Sequence, residues 1–433
     1  MRKTGLSVSM RKDLAISFIN YGFVFLCGVV VYKLAAGFGP SGFGEYALAR
    51  RAASFMQPVL LMGLSVGLVR YIAITSSEGV RDPDLRASYI VTGYGAVVVF
   101  SLIILAAINM APAFFAKLVF GKKGYEGHLL AISLMVESYI INSLVFAYYR
   151  GRGDFVLANL MMALCQGLAP LAAVLFSGSV LDAVLLTGII ITALSAMFSL
   201  PVFKDVLPRL GRLHPGAIKE LLRYGLTRVP GDLSLAAMLG LPAFLTAHFF
   251  GVRQAGYVAF GISLVSMVGA IFGPVGFVML PRLTAIVSEG RREEAKSILK
   301  RIIVFTFLVS VATTLILFFF AGYLVNYWLG AKFVDSTDVI RLSVLAAVPN
   351  AIFVSLRSTI DAVYVKAINA INMYKALLVS VAAYVVVRAG GMDLTGIPVS
   401  FLAGMVILCI LTLRVSLSAY GLNHKLESVR VRP

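Results

Sequence analysis

The sequence predicts an all-α integral membrane protein with about twelve transmembrane helices in two pseudo-symmetric lobes of six, N-in and C-in. Three observations carry this expectation. The 433 residues are 60% hydrophobic and their mean hydropathy is +0.93, whereas a soluble globular chain is roughly half apolar. One half of the chain reads as an old copy of the other. Lysine and arginine gather in alternate connecting segments between apolar runs.

The repeat sets the architecture, so it comes first. Residues 38–73, FGPSGFGEYALARRAASFMQPVLLMGLSVGLVRYIA, return in register as residues 250–285, FGVRQAGYVAFGISLVSMVGAIFGPVGFVMLPRLTA. Phe38 meets Phe250, Gly39 meets Gly251, Gly44 meets Gly256 and Ala47 meets Ala259. Leu68 likewise meets Leu280 and Arg70 meets Arg282, and Ser77-Glu78-Gly79 is matched, one residue out of step, by Ser288-Glu289-Gly290. The copies differ most where Arg50-Arg51 becomes Ile262-Ser263, which marks that place for function.

Several runs reach the ~20 apolar residues that cross ~30 Å of hydrocarbon. Spans are expected near 14–38, 46–70, 88–109, 129–149, 155–177 and 181–203. A second set is expected near 228–250, 257–281, 300–322, 338–361, 367–388 and 395–419. Helices satisfy every backbone polar group within the segment, which lipid demands. The basic start, with Arg2, Lys3, Arg11 and Lys12, resembles a signal peptide, but the run that follows exceeds the ~7–15 residues of such a core, so an uncleaved first span is expected.

Orientation follows from the basic residues. They are dense at the N-terminus, at Arg70, Arg81 and Arg86, at Arg150 and Arg152, through 204–228, through 282–301 and after Arg414. They are absent from 39–45 and 177–182, and 251–256 holds only Arg253; Lys117, Lys122 and Lys123 are the exception. The net charge of +18 therefore reads as membrane topology, with no nucleic-acid partner. The connector around 203–226 carries Pro208, Gly211 and Pro215 and then a short amphipathic piece. It divides an N-terminal lobe, 1–203, from a C-terminal lobe, 228–433, with 204–227 as a basic cytoplasmic link. Six crossings per half bring both copies in from the same side, as parallel repeats with substrate held between them.

Cys27, Cys165 and Cys409 fall inside apolar runs with no metal-ligand spacing, and the four histidines are scattered, so no metal, cofactor or catalytic residue is expected. Ionisable residues inside spans are costly and mark function by default. Lys33 ends span one, and Arg50 and Arg51 open span two, with a short turn over 39–45 between them. Arg50, Ser54, Gln57, Leu61 and Ser65 share one helical face, a mostly polar stripe on an otherwise oily helix. The bland alternative is that the three cations snorkel to the headgroups with Glu45 as counter-ion. In the second half, Arg228 and His248 flank span seven, Arg357 lies in span ten beside Asp361, and Lys375 lies in span eleven. Arg357 with Asp361, and Arg228 with Asp232, have the spacing of simple ion pairs. Glu137 is the one clearly central acid, either a structural glutamic acid or a site of ion coupling. Tyr323, Tyr327 and Trp328 read as an interfacial belt, and Pro58, Gly63, Gly67, Gly273-Pro274 and Pro349 as bends. A cavity rich in Lys and Arg and nearly free of Asp and Glu suits anions, phosphate and pyrophosphate above all.

The stretch GFGPSGFGEYALARRAASFMQPVLLMGLSVGLVRYIA, after a basic start and one apolar span, resembles the opening of the polysaccharide-biosynthesis branch of the multidrug/oligosaccharidyl-lipid/polysaccharide (MOP) exporters. Its GxxxxGxYA-type turn returns as GVRQAGYVA. The resemblance implies a MATE/MOP-like pair of six-helix lobes in a V, alternately open to either side of the cell inner membrane. It implies a flippase for an anionic lipid-linked oligosaccharide of polyprenyl-pyrophosphate type, as in O-antigen or lipopolysaccharide synthesis, with polysaccharide-assembly proteins as partners. Lys33, Arg50 and Arg51 match the basic residues it places in spans one and two; for span seven there are only Arg228 and His248, and span eight offers no interior cation. A drug or cation antiporter on the same fold would want carboxylates in span one, which has only Asp13 before its start. A glycan ligase or polymerase would want an outer segment with acids, bases or metal ligands, and residues 110–128 and 322–337 hold little of that kind.

Overall fold

A computed structural model describes residues 8–76, 82–275, 291–364, 367–391 and 393–419, and over these the chain is helical with no strand. The matched positions Leu280, Arg282, Ser77 to Gly79 and Ser288 to Gly290, the basic start at Arg2 and Lys3, and the tail after Ala419 lie outside the described residues.

The first half runs α1 (Val8–Ala35), α2 (Gly39–Leu60), α3 (Leu64–Ser76), α4 (Pro83–Met110), the short α5 (Pro112–Phe120), α6 (Glu126–Arg152), α7 (Phe155–Leu175) and α8 (Val180–Val206). A connector helix, α9 (Gly216–Leu226), leads to α10 (Val229–Phe249), α11 (Val252–Ile271), α12 (Arg292–Phe319), α13 (Thr337–Val344), α14 (Ala347–Val363), α15 (Ile368–Ala389) and α16 (Gly396–Ala419). Among the described residues ten helices are long and apolar enough to cross a membrane, and eleven if the pair Ala331–Val344 and Ala347–Ile360, bent by 42°, is one span. The difference from the expected twelve lies in the 45-residue run Ile16–Leu60. A straight helix of that length would reach ~68 Å at 1.5 Å per residue, twice the hydrocarbon thickness. Instead the chain doubles back: the Arg50 guanidinium lies 5.3 Å from the centre of the Tyr32 ring, and Tyr32 and Phe43 rings are 5.8 Å apart.

Glycine makes that hairpin. Gly39 sits at φ 77°, ψ 171°, and its repeat partner Gly251 at φ 93°, ψ 170°, a conformation only glycine takes without strain. The turn is tighter than expected: it occupies Ala36–Phe38, and α2 already begins at Gly39 with Pro40 in its first turn, where no N–H is needed. Glu45 is thus helical, and its carboxylate faces Tyr125 and His128 (3.1 and 3.7 Å), so it is no counter-ion to the nearby cations.

Within the first half, α6 packs along α8, with α3, α2 and α4 against its other faces. Polar side chains lock helix to helix: Asn20 donates to Asn159 (3.2 Å), Asn109 to Ser133 (2.8 Å) and Asn142 to Ser195 (3.4 Å). In lipid such bonds replace the hydrophobic drive that water would supply. In the second half α10, α15, α16 and α14 pack in turn, and α12 lies at the rim. Its apolar window is 22% buried, against 67% for the span containing α11, which sits at the centre. The halves meet chiefly where α2 runs along α11 and α10.

Two expectations about bends take definite form. The polar stripe of α2 stops after Gln57, because the helix ends at Leu60 and Met62 and Gly63 turn left-handed (φ 49° and 66°). Leu61 is buried in that break rather than facing the stripe. The bend expected at Pro349 is present: the proline lies in the first turn of α14, directly after the 42° break that separates it from α13.

Candidate functional site

A cavity of about 330 Å³ opens among α1, α2, α6, α7, α8 and α11. Arg50, Ser54 and Gln57 line it from α2, one helical face spaced i, i+4, i+7, as the stripe predicted. Tyr21 comes from α1, Tyr139 and Asn142 from α6, Gln166 from α7 and Ser266 from α11. A smaller chamber of about 190 Å³ adjoins it, lined by Tyr32, Arg50, Arg51, Ser54, Ser263 and Ser266.

Among the described residues no aspartate or glutamate lines either space. Arg50 lies over the faces of Tyr32 (5.3 Å) and Tyr46 (5.8 Å), whose ring quadrupoles favour a cation there. Its guanidinium also meets the Tyr46 and Tyr139 hydroxyls, and among the described residues no acid neutralises its charge. A guanidinium whose neighbours are all neutral, on a residue lining a cavity, favours an anion there, because its bonds to an anionic acceptor are the stronger ones. Gln57 is held by Ser143 (2.7 Å), and Ser54 by the Arg50 carbonyl (2.9 Å). With Asn142 and Gln166 they give the wall hydroxyl and amide groups suited to polyols.

Arg51 turns the other way, across the seam between the halves. Its Nη2 donates to the Ala259 carbonyl (3.1 Å) and to Ser263 Oγ (2.7 Å), and the Tyr32 hydroxyl shares that Ser263 oxygen at 2.6 Å. Ser263 is the repeat counterpart of Arg51.

The remaining expected residues are not gathered here. Lys33 leaves the cavity: its Nζ donates to the Tyr327 carbonyl (3.3 Å) and lies 5.9 Å from the Trp328 ring centre. Trp328 in turn donates to the Val29 carbonyl (3.2 Å), so this part of the aromatic belt clamps α1. Arg228 stacks on Tyr224 at 4.3 Å, and His248 is exposed with Nδ1 2.8 Å from the Phe244 carbonyl. Arg357 pairs with Asp232 of α10 at 3.2 Å; the Asp361 side chain, its expected partner, is outside those described. Lys375 is exposed and lines none of these cavities. Glu137 faces away from the cavity-lining Tyr139 and Asn142, one turn from Ser133 at the α4 seam, where its buried carboxyl meets the Ser101 hydroxyl of α4. Tyr32, Tyr46, Tyr139 and Ser266 had no signal in the text beyond polarity within a span, whereas Ser263 was visible as the counterpart of Arg51.

Comparison with known proteins places this geometry. The polysaccharide biosynthesis protein family matches residues 34–338. A Shigella flexneri protein named as a candidate O-antigen transporter is 22% identical over 347 residues, covering 76% of this chain and 79% of its own length. Among solved structures, the inward-facing conformation of a multidrug resistance MATE transporter of the MOP superfamily superposes with a TM-score of 0.72 at 18% identity, covering 92% of this chain and 96% of that one. A Pyrococcus furiosus MOP-superfamily transporter, described for the reverse polarity of its binding pocket, gives 0.65 at 18% identity, covering 94% and 96%. This is a multi-pass membrane protein with the fold of the MATE transporters of the MOP superfamily. With its profile matched over most of the length, the chain belongs to the polysaccharide biosynthesis protein family.

Proposed function

We propose that this chain is a flippase. It moves an anionic lipid-linked oligosaccharide, of polyprenyl-pyrophosphate type, across the cytoplasmic membrane by alternating access during surface polysaccharide synthesis. Residues 1–203 and 228–433 are the two rocking lobes, with both termini and the 204–227 link in the cytoplasm. The observation that carries the reading is Arg50: a cation in a membrane-spanning helix, at the wall of a cavity that no described acid lines, with tyrosines rather than a carboxylate around its charge. An isolated charge at such depth is retained where it meets substrate or water. Pyrophosphate supplies an anionic acceptor, Ser54, Gln57, Asn142 and Gln166 suit the sugar hydroxyls, and the lipid tail stays in the bilayer. A cation antiporter on the same fold would place a carboxylate in the cavity, where the described residues have none. Of the other basic residues, Lys33 anchors α1, and Arg228, His248, Arg357 and Lys375 are left out of the head-group site. Glu137 is retained as a candidate for ion coupling through the α4–α6 seam.

Deleting the gene in its host and labelling the lipid-linked intermediate tests this directly. The expected result is glycan accumulating on the cytoplasmic face, relieved by the wild-type gene and not by Arg50→Ala. A normal surface glycan with no accumulation would refute the reading.

A further inference from the structure

We propose that Arg51 is a latch between the halves that the anionic substrate itself releases; the inference rests on the head-group reading of Arg50 and adds its regulation. Along the α2–α11 seam, repeat-related residues face one another across the pseudo-two-fold axis. A methyl group on Gly256 would stand 2.6 Å from the Gly44 Cα, and one on Gly44 would stand 2.1 Å from the Val252 carbonyl oxygen. The helices can touch this closely only because both copies keep glycine there. Two turns further on, Arg51 reaches its own counterpart, Ser263. The seam thus joins the two halves beside the two glycine turns.

The chemistry of the latch is unequal to what it guards. The Arg51 guanidinium is held by a carbonyl and a hydroxyl, both neutral, and the described residues offer it no ion pair. Hydrogen bonds between a guanidinium and phosphate are roughly twice as strong as those to neutral acceptors, and often two-pronged. The small chamber touches Arg50 and Arg51 together and includes Ser263. An anion docked on Arg50 in this chamber is therefore beside Arg51 and competes for it. Capturing it leaves Ser263 bonded to Tyr32 and to the Ala259 carbonyl of its own helix (2.8 Å), and unfastens the charged tie between α2 and α11. Binding then opens the far side only when a head group is present. The repeat difference acquires a meaning: one copy carries the key and the other the lock, where two arginines would repel and two serines could not respond to charge.

Spin labels on Ser41→Cys and Gln254→Cys, near the two glycine turns, report the seam by pulsed dipolar distance measurement in lipid nanodiscs; the native cysteines are buried. Farnesyl pyrophosphate is the probe, farnesol its neutral control, and calorimetry of the same samples reports binding. The expected result is a longer distance with farnesyl pyrophosphate and none with farnesol. Ser263→Ala raises the open fraction roughly tenfold without probe, the loss of one charge-assisted bond. Arg51→Lys, which keeps the charge but not the fork, does the same, and Arg50→Gln stays closed and unresponsive. Binding with an unchanged distance, or a Ser263→Ala seam as closed as wild type, would overturn the latch and leave the head-group site standing. No binding of farnesyl pyrophosphate would overturn the head-group site, and the release mechanism with it.

Discussion

Arg50 and Arg51 are adjacent in sequence, yet the helix sends them about 100° apart, so one faces a cavity and the other a seam. Arginine suits both posts because its charge is delocalised and weakly hydrated and its flat fork stacks on tyrosine. Replacing Arg50 by Gln removes the charge while keeping a donor. The expected outcome is a 10- to 100-fold weaker affinity for a polyprenyl pyrophosphate, the equivalent of about 1.5–3 kcal/mol for a charged hydrogen bond, with folding intact. Isothermal calorimetry beside a thermal melt checks both halves of that statement. Asp205, near the end of α8, is the opposite case, a structural charge. Only 10% of its side chain is exposed, and it accepts from Arg86 at 2.8 and 3.1 Å and from Tyr148 at 3.2 Å, with Arg209 at 3.3 Å and Arg152 at 3.6 Å. Asp205→Ala strands these cations around an empty acceptor and is expected to cost about 3 kcal/mol of stability. A melt unchanged in that variant would show that the cluster is idle.

At the scale of elements, α2 illustrates what a sequence can and cannot disclose. Its start, its direction and the facing of Ser54 and Gln57 with Arg50 all follow from a glycine turn and 3.6-residue spacing. Its end is marked only by Gly63, expected as a bend: the spacing continues through Leu61 and Ser65 while the backbone turns left-handed at Met62 and Gly63. The cause lies far along the chain: a methyl on Gly63 would stand 2.6 Å from the Gly225 carbonyl oxygen of α9, so the connector docks into the break. Gly63→Ala is accordingly expected to destabilise by more than about 1 kcal/mol, from the positive φ and the collision together, visible as a lower melting temperature in detergent. A neutral result would mean that the connector does not sit there. Lys33 shows the same limit. Its depth was legible, but its partners, Tyr327 and Trp328, come from nearly three hundred residues later, and no local pattern announces them. Arg357 likewise has an acid on α10, Asp232, that spacing along its own helix does not announce.

The whole molecule is where the sequence spoke most plainly, since a repeat states a symmetry. Equal dihedral angles at Gly39 and Gly251 and the close pairs Gly44–Gly256 and Arg51–Ser263 are the physical form of that symmetry. What the repeat could not give is the depth of the cavity, which is walled mostly by the first half and only closed by α11 from the second. The proposed N-in, C-in orientation follows from basic residues near one set of helix ends. A cysteine at Gly37, which is exposed beside the first turn, should react with an impermeant maleimide in intact cells, and one at Gly211 in the connector only after permeabilisation. The reverse pattern would invert the direction of transport. The central claim is that Arg50 carries an anionic head group across the bilayer. Its most direct measurement is flipping in proteoliposomes, with a fluorescent polyprenyl-pyrophosphate glycan placed in one leaflet and its appearance in the other followed by an impermeant quencher. Wild-type protein should move the lipid and the Arg50→Gln protein, equally folded and inserted, should not; equal rates for the two would contradict the account.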